Sequence, residues 1–174
     1  MCILLVQTLR KKMLNFTELV KRYQEPLYWH LRRLVVSHED ARDLLQETLL
    51  QAWQKIDTLR EEGAVRGWLY KIATHAAYRH LHRNRIHPLS TEELSNMLLE
   101  RLQSSSYVDY EEEGLLRFQQ AILTLSEQQR TVFTLRYYDE MSYEEIARVV
   151  DSSPETCRVA YHNATKRIQT LLKE

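Results

Sequence analysis

Residues 142–172 read SYEEIARVVDSSPETCRVAYHNATKRIQTLL and resolve into two helices joined by a tight turn. Ser142 and Glu145 have the Ser-x-x-Glu spacing of a capping box, in which hydroxyl and carboxylate each take a backbone amide that the first helical turn leaves unpaired. A helix starting near Tyr143 carries Ile146, Ala147 and Val150 on one stripe and breaks at Asp151-Ser152-Ser153. Ser153 can cap a second helix whose first position is Pro154, where the missing N–H removes no needed bond. In that helix Cys157, Ala160, Tyr161, Ala164, Ile168, Leu171 and Leu172 recur at steps of three and four, so Arg158, Val159, His162, Asn163, Lys166 and Arg167 share the outer face. A short helix, a turn and an amphipathic helix with a basic, polar outer face is the arrangement that lays its second helix in the major groove of DNA. A packed helical hairpin has the same pattern.

Working back from Ser142, Ser126 and Gln129 repeat the capping-box spacing ahead of a helix bearing Val132, Phe133, Leu135 and Tyr138. Leu115 to Leu125 forms a short helix before it, which gives four helices in a C-terminal group over residues 115–174. Residues 88–114, PLSTEELSNMLLERLQSSSYVDYEEEG, combine Pro, a Ser triplet and an acidic run. This is linker composition, with at most one helical turn around Leu94 to Leu102.

An N-terminal group fills residues 1–87. Phe16, Leu19, Val20, Tyr23, Leu27, Leu31, Leu34 and Val35 follow the helical period, with a kink expected at Pro26. Ser37 can cap a second helix whose Ala41, Leu44, Leu45, Thr48, Leu49, Ala52, Trp53 and Ile56 form a broad apolar stripe. Away from that stripe lie Asp43, Gln46, Glu47 and Leu50. A leucine among carboxylates and an amide is either a partner surface or a solvated face with one stray apolar residue. Thr58 to Gly67, with two of the chain's three glycines, reads as a loop. A third helix from about Arg66 to Arg83 has Trp68, Leu69, Ile72, Ala73, Ala76 and Leu81 on its core side, and Tyr70, Lys71, His75, Tyr78, Arg79, His82, Arg83 and Arg85 on the other. Cations interleaved with aromatic rings suit single-stranded nucleic acid, since charges track phosphates and rings stack on unpaired bases; an arginine-rich surface helix has the same composition.

Composition supports an all-α fold, with three Gly and three Pro among 174 residues. The neutral total of 24 basic and 24 acidic side chains hides an uneven placement: 15 against 9 over residues 1–87, 1 against 7 over 88–114, and 8 against 8 over 115–174. A basic front and an acidic middle point to nucleic-acid contact plus a tail-like segment. Cys2 and Cys157 offer no disulfide framework, and a reducing cytosol is the simplest setting. No apolar run approaches the roughly 20 residues of a membrane span, so a soluble, cytoplasmic chain is expected. Met13 offers a second possible start. His75, His80, His82 and His87 do not share one helical face, and no metal or other cofactor is expected. There is no phosphate-cradling glycine loop and no nucleophile with a base, so the chain reads as a non-enzyme.

Three blocks, HEDARDLLQETLLQAWQKIDTLR from His38, GWLYKIATHAAYRHLHR from Gly67 and LSEQQRTVFTLRYYDEMSYEEIARVVDSSPETCRVAYHNATKRI from Leu125, resemble bacterial RNA polymerase sigma factors of the extracytoplasmic-function group. The resemblance covers nearly everything from Phe16 to Leu172. The first two blocks are similar to the family's region 2 and the third to its region 4. It implies two small helical domains on a flexible acidic linker. Asp43, Leu44, Gln46 and Glu47, joined by Leu50, would dock on the clamp coiled coil of core RNA polymerase, whose flap meets region 4. The Thr58 to Gly67 loop would capture a flipped base of the minus-10 promoter element, and Arg66, Lys71, His75, Tyr78, Arg79 and His82 would read and open that element. Arg158, Val159, His162 and Asn163 would face the minus-35 element, with Lys166 and Arg167 nearer phosphates. A membrane-bound anti-sigma factor is a further partner the resemblance implies. His75 stands where Asn is usual, and Ala160 and Asn163 where Arg is common, so this recognition helix is less basic than most. A stand-alone helix-turn-helix regulator is the alternative, and it leaves the DLLQE face and the Tyr-rich basic helix without a purpose.

Overall fold

A computed structural model of the chain describes residues 2–35, 37–59, 64–84 and 110–173, with α1 side chains described from Phe16 onward. The described residues form seven α-helices and a 3-10 turn, with no strand. These are α1 (Cys2–Val35), α2 (His38–Lys55), the turn Ile56–Thr58, α3 (Val65–Asn84), α4 (Tyr110–Leu123), α5 (Glu127–Tyr137), α6 (Tyr143–Val149) and α7 (Pro154–Leu171). The all-α expectation holds. Most of the acidic linker, with its helical turn around Leu94 to Leu102, lies outside the described residues; its last part, from Tyr110 to Gly114, is already the first turn of α4.

The caps fall where the sequence places them. The Ser37 hydroxyl accepts the Asp40 amide at 3.2 Å and starts α2. Ser126 with Gln129 and Ser142 with Glu145 both form complete capping boxes. Ser153 accepts the Thr156 amide at 3.1 Å, with Pro154 opening α7. Each cap satisfies amides that have no partner within their own helix. The turn between α6 and α7 closes with Asp151 at φ 51°, a left-handed conformation that Asp tolerates better than most residues. One reading changes: Gly67 lies inside the first turns of α3 rather than in a loop. Pro26, where a kink is expected, lies exposed inside α1.

Helices α1, α2 and α3 pack together through Leu27, Leu31, Leu34, Ala41, Leu44, Ala52, Leu69, Ala73, Ala76 and Ala77. Small residues along α3 let its neighbours approach closely. The C-terminal helices surround Ala121, Ile122, Leu125, Phe133, Ala164 and Ile168, with Phe133 stacked between Tyr137 and Tyr161 at centroid distances of 5.2 and 5.7 Å.

The two groups do not stand apart. Val132, Leu135, Met141, Ile146, Ala147, Val149 and Cys157 belong to the same buried cluster as the core of α1–α3. Helix α6 packs on α3, and α5 on α1. Arg130 reaches across the junction to donate to the Leu34 carbonyl at 3.2 Å while also bonding the Leu123 and Leu125 carbonyls that end α4. Burial lowers the pKa of its guanidinium from the ordinary value, with the nearby Glu127 charge opposing that effect.

The Ser142 cap gives a direct stability test. Bonding to the Ser142 amide holds the Glu145 carboxyl below the usual glutamate range. A carboxyl depressed in the folded state stabilises it above its unfolded pKa, and that contribution is lost as pH falls through the folded value. Ser142→Ala should therefore lower the unfolding free energy by about 1 kcal/mol in urea titrations at neutral pH. The difference between wild type and Glu145→Ala should shrink below about pH 4.3.

Candidate nucleic-acid and partner interfaces

The outer face of α2 forms as its spacing predicts, with one exception. Asp43 and Gln46 are exposed, and Leu50 is 58% exposed, an unusual degree for a leucine on a regular helix. Glu47 is half-buried because its carboxylate takes the Gln51 amide and the Arg79 guanidinium, both at 2.8 Å. Leu44, grouped with this face by the family resemblance, is 3% exposed and sits in the α1–α3 core. In the helical register it falls on the same stripe as Ala41, Thr48 and Ala52, so it supports the face from beneath.

The outer face of α7 is intact. Arg158, Val159, His162, Asn163, Lys166 and Arg167 are all exposed, while Cys157, Ala164 and Ile168 are buried on the opposite side. Val159 is 59% exposed among polar neighbours. The Arg158 guanidinium lies 5.4 Å from the centre of the Tyr143 ring, which ties the start of the recognition helix to α6. Burial raises the pKa of the Cys157 thiol, so it remains a packing group and not a nucleophile.

Helix α3 departs furthest from expectation. Tyr70, assigned to the outer side by periodicity, is 2% exposed. Its hydroxyl donates to Asp139 Oδ1 at 2.9 Å. Burial, and then the adjoining Asp139 charge, push its pKa well above the ordinary tyrosine value. Arg66 donates to the Asp139 backbone carbonyl. Lys71 bonds Asp151, and His75 Nε2 lies 3.4 Å from the same carboxylate. The bond from Lys71 holds the Asp151 carboxyl below its ordinary range. Tyr78 is half-buried with its hydroxyl bonded to Thr131, and His82 Nε2 lies 3.4 Å from Glu127. Arg79 pairs within the N-terminal group, with Glu47, and the Arg66 guanidinium lies 5.8 Å from the centre of the Tyr70 ring.

His75, Tyr78, Arg79, His82 and Arg83 line an open groove of about 620 Å³ at the C-terminal half of α3. The N-terminal half is covered by α6 and the loops that flank it. His80 faces Asp40 of α2 at 3.4 Å, and among the described residues no three His, Cys, Asp or Glu side chains gather as metal ligands would.

His30, Asp139, Asp151, Thr131 and Glu127 were absent from the sequence-predicted sites, and all five make contacts across the junction between the groups. His30 carried a signal: it sits at helical spacing between Leu27, Leu31 and Leu34, inside an apolar stripe, and is fully buried. Nothing in the local sequence marks Asp139 or Asp151.

Comparison with known proteins agrees with this arrangement. The model for Sigma-70 region 2 matches residues 19–86, and that for Sigma-70, region 4 matches residues 115–168. The chain is 31% identical over 171 residues to the RNA polymerase sigma-H factor of Pseudomonas aeruginosa, spanning 91% of this chain and 89% of that protein. It is 30% identical over 167 residues to the ECF RNA polymerase sigma-E factor of Haemophilus influenzae, spanning 91% and 87%. It spans 48% of the longer ECF sigma factor SigG of Mycobacterium tuberculosis. Among solved structures, the fold is shared with the sigma factor RpoE of Bartonella quintana, crystallised with the anti-sigma factor NepR. The TM-score is 0.71 at 23% identity, covering 91% of this chain and 97% of that one. CnrH in complex with the cytosolic domain of CnrY gives a TM-score of 0.65 at 22% identity, covering 91% and 87%.

A helix-turn-helix group packed on a three-helix group with a basic, aromatic helix defines a promoter-recognition protein. The chain belongs to the sigma-70 family of RNA polymerase sigma factors, in its extracytoplasmic-function group. It is a promoter-specificity subunit of RNA polymerase and not an enzyme. The stand-alone regulator is not favoured. Among the described residues no helix is long and apolar enough to cross a membrane.

The Lys71–Asp151 pair joins side chains 40% and 58% exposed, where solvent screens most of the attraction. Asp151→Asn, with Asn equally tolerant of the left-handed backbone, should change the unfolding free energy by less than about 1 kcal/mol. Urea denaturation of the full chain checks this.

Proposed function

We propose that residues 1–87 and 115–174 act as the two reading domains of this sigma factor, joined by residues 88–114, with each exposed face assigned to one partner. Asp43, Gln46, Glu47 and Leu50 form the docking face for the clamp coiled coil of core polymerase. Leu44 holds that face from within the core, and the polymerase flap meets region 4. The observation that carries this assignment is Leu50, 58% exposed beside Asp43 and Gln46 on a helix whose other side is fully packed.

Arg66, Lys71, His75, Tyr78, Arg79 and His82 bind the melted minus-10 element. Cations take the strand phosphates while Tyr78 offers a ring for an extruded base. The Thr58 to Gly67 loop is the base-capturing segment of this reading; residues 60–63 lie outside the described structure. On α7, Arg158, Val159, His162 and Asn163 face base edges of the minus-35 element, and Lys166 and Arg167 face phosphates. Arg suits guanine, Asn suits adenine, and an exposed Val suits the methyl group of thymine. The sparse positive charge of this helix makes the upstream contact weak in isolation and dependent on delivery by polymerase. The protein acts in the cytoplasm, and a membrane-bound anti-sigma factor is its regulatory partner.

Run-off transcription with core polymerase tests the reading. Promoter-dependent initiation supports it, and DNA binding without initiation returns the protein to the class of stand-alone regulators. Gln46→Ala with Leu50→Ala should weaken binding to core polymerase and leave helical content unchanged; unchanged affinity removes the clamp assignment. Arg158→Ala should spare polymerase binding and weaken use of the upstream element by about 1 to 3 kcal/mol, the range of one base contact.

A further inference from the structure

We propose that Tyr143 is a positioning residue for promoter reading: its ring, fixed at the start of α6, holds the Arg158 guanidinium of the recognition helix ready to meet a base edge of the minus-35 element. The proposal rests on the reading of Arg158 as a base contact.

Local structure sets Tyr143 before any DNA is present. The capping box closes around it, with the Ser142 amide donating to Glu145 Oε2 at 2.8 Å and the Glu145 amide to Ser142 Oγ at 3.2 Å, so Tyr143 is held as the first residue of α6. Its ring is half-buried and packs on the buried cluster shared by the two groups. The Tyr161 ring of α7 meets it edge to face, with centroids 6.3 Å apart and planes at 66°, and Tyr161 is itself stacked on Phe133. From α5, the Arg136 guanidinium lies 5.2 Å from the ring centre and is anchored by donating to the Met141 carbonyl at 2.9 Å. These contacts leave the ring little freedom to turn.

The Arg158 guanidinium lies 5.4 Å from the centre of that ring, within the range of cation–π attraction. Among the described residues the Arg158 side chain makes no ion pair or hydrogen bond, so its N–H edge stays available. Stacking and base recognition use different parts of the group: the planar face rests on a ring, while the fork of N–H bonds reaches a base edge. A free arginine loses rotamer freedom when it binds, and one already held on a ring loses less. The other outer-face cations of α7, Lys166 and Arg167, are exposed and have no ring against them among the described residues. That difference fits their roles, because a phosphate contact carries no sequence information and a base contact does. Since Tyr143 belongs to α6, the first helix of the helix-turn-helix takes part in sequence choice without touching a base.

Run-off transcription by core polymerase loaded with the full chain, on templates carrying each base in turn at every minus-35 position, tests this. The position read by Arg158 is the one whose base preference Arg158→Ala flattens. Tyr143→Phe should keep the wild-type preference there, whereas Tyr143→Leu should reduce it about two- to fivefold, the range of one exposed cation–π contact, and leave the other positions unchanged. In the Arg158→Ala background Tyr143→Leu should add nothing. A loss spread evenly over all positions, or one that multiplies with the loss from Arg158→Ala, overturns the proposal. A second measurement does not depend on a variant that folds: nitrogen-15 relaxation of the Arg158 Nε–H in the free wild-type chain should show a restricted side chain, and an Arg158 as mobile as Arg167 overturns the proposal. The base preferences also separate the two failures. If Arg158→Ala flattens one position and Tyr143→Leu leaves it intact, only the positioning role is lost; if Arg158→Ala leaves every preference as in wild type, the base-contact reading falls and the positioning role with it.

Discussion

A single buried carboxylate fixes the relation between the two halves of this protein. Taking an ionised side chain out of water has an effective cost of several kcal/mol, which has to be offset by hydrogen-bonded partners of good geometry. Asp139 has such partners in the Tyr70 hydroxyl and the His30 imidazole, and all of them come from the opposite region. These partners tie the two regions at this junction. Apolar burial around it, from Leu31 and Leu69 to Val132, Met141 and Ile146, supplies the non-directional part of the attraction. The polar network supplies the register.

That pose divides the surface. Asp43, Gln46 and Leu50 of α2 and the outer face of α7 lie away from the junction and are exposed, whereas the first half of α3 lies inside it. Glu47 links the two classes of surface, since it belongs to the α2 face and pairs with Arg79 of α3 at 2.8 Å. The junction consists of exposed ion pairs, which are cheap to break, arranged around one buried contact at Asp139.

Local structure was readable from the chain because local rules govern it. Ser37, Ser126, Ser142 and Ser153 all cap the helices their spacing announces, and the recognition helix has its six outward side chains where periodicity places them. The capping box and the 3.6-residue period act over a few residues and need no tertiary information. The errors occur where a second layer covers a face that looks solvated. Tyr70 stands beside Lys71 and reads as surface, yet it is buried because Asp139, 69 residues later, reaches its hydroxyl. Gly67 reads as a loop breaker and is helical, in the first turn of α3. Leu44 lies in a motif whose neighbours face a partner, but α-helical register turns it into the core. His30 was the one long-range contact with a local trace, as a histidine inside an apolar stripe.

The packing of region 4 on α3 is tested most directly by pulsed electron spin resonance. Nitroxide labels at exposed Arg42 of α2 and Gln169 of α7 report the separation of the two regions in the unbound protein and in the polymerase complex. The packing predicts one narrow, short distance distribution for the free chain. A broad, long distribution in the free chain would contradict it.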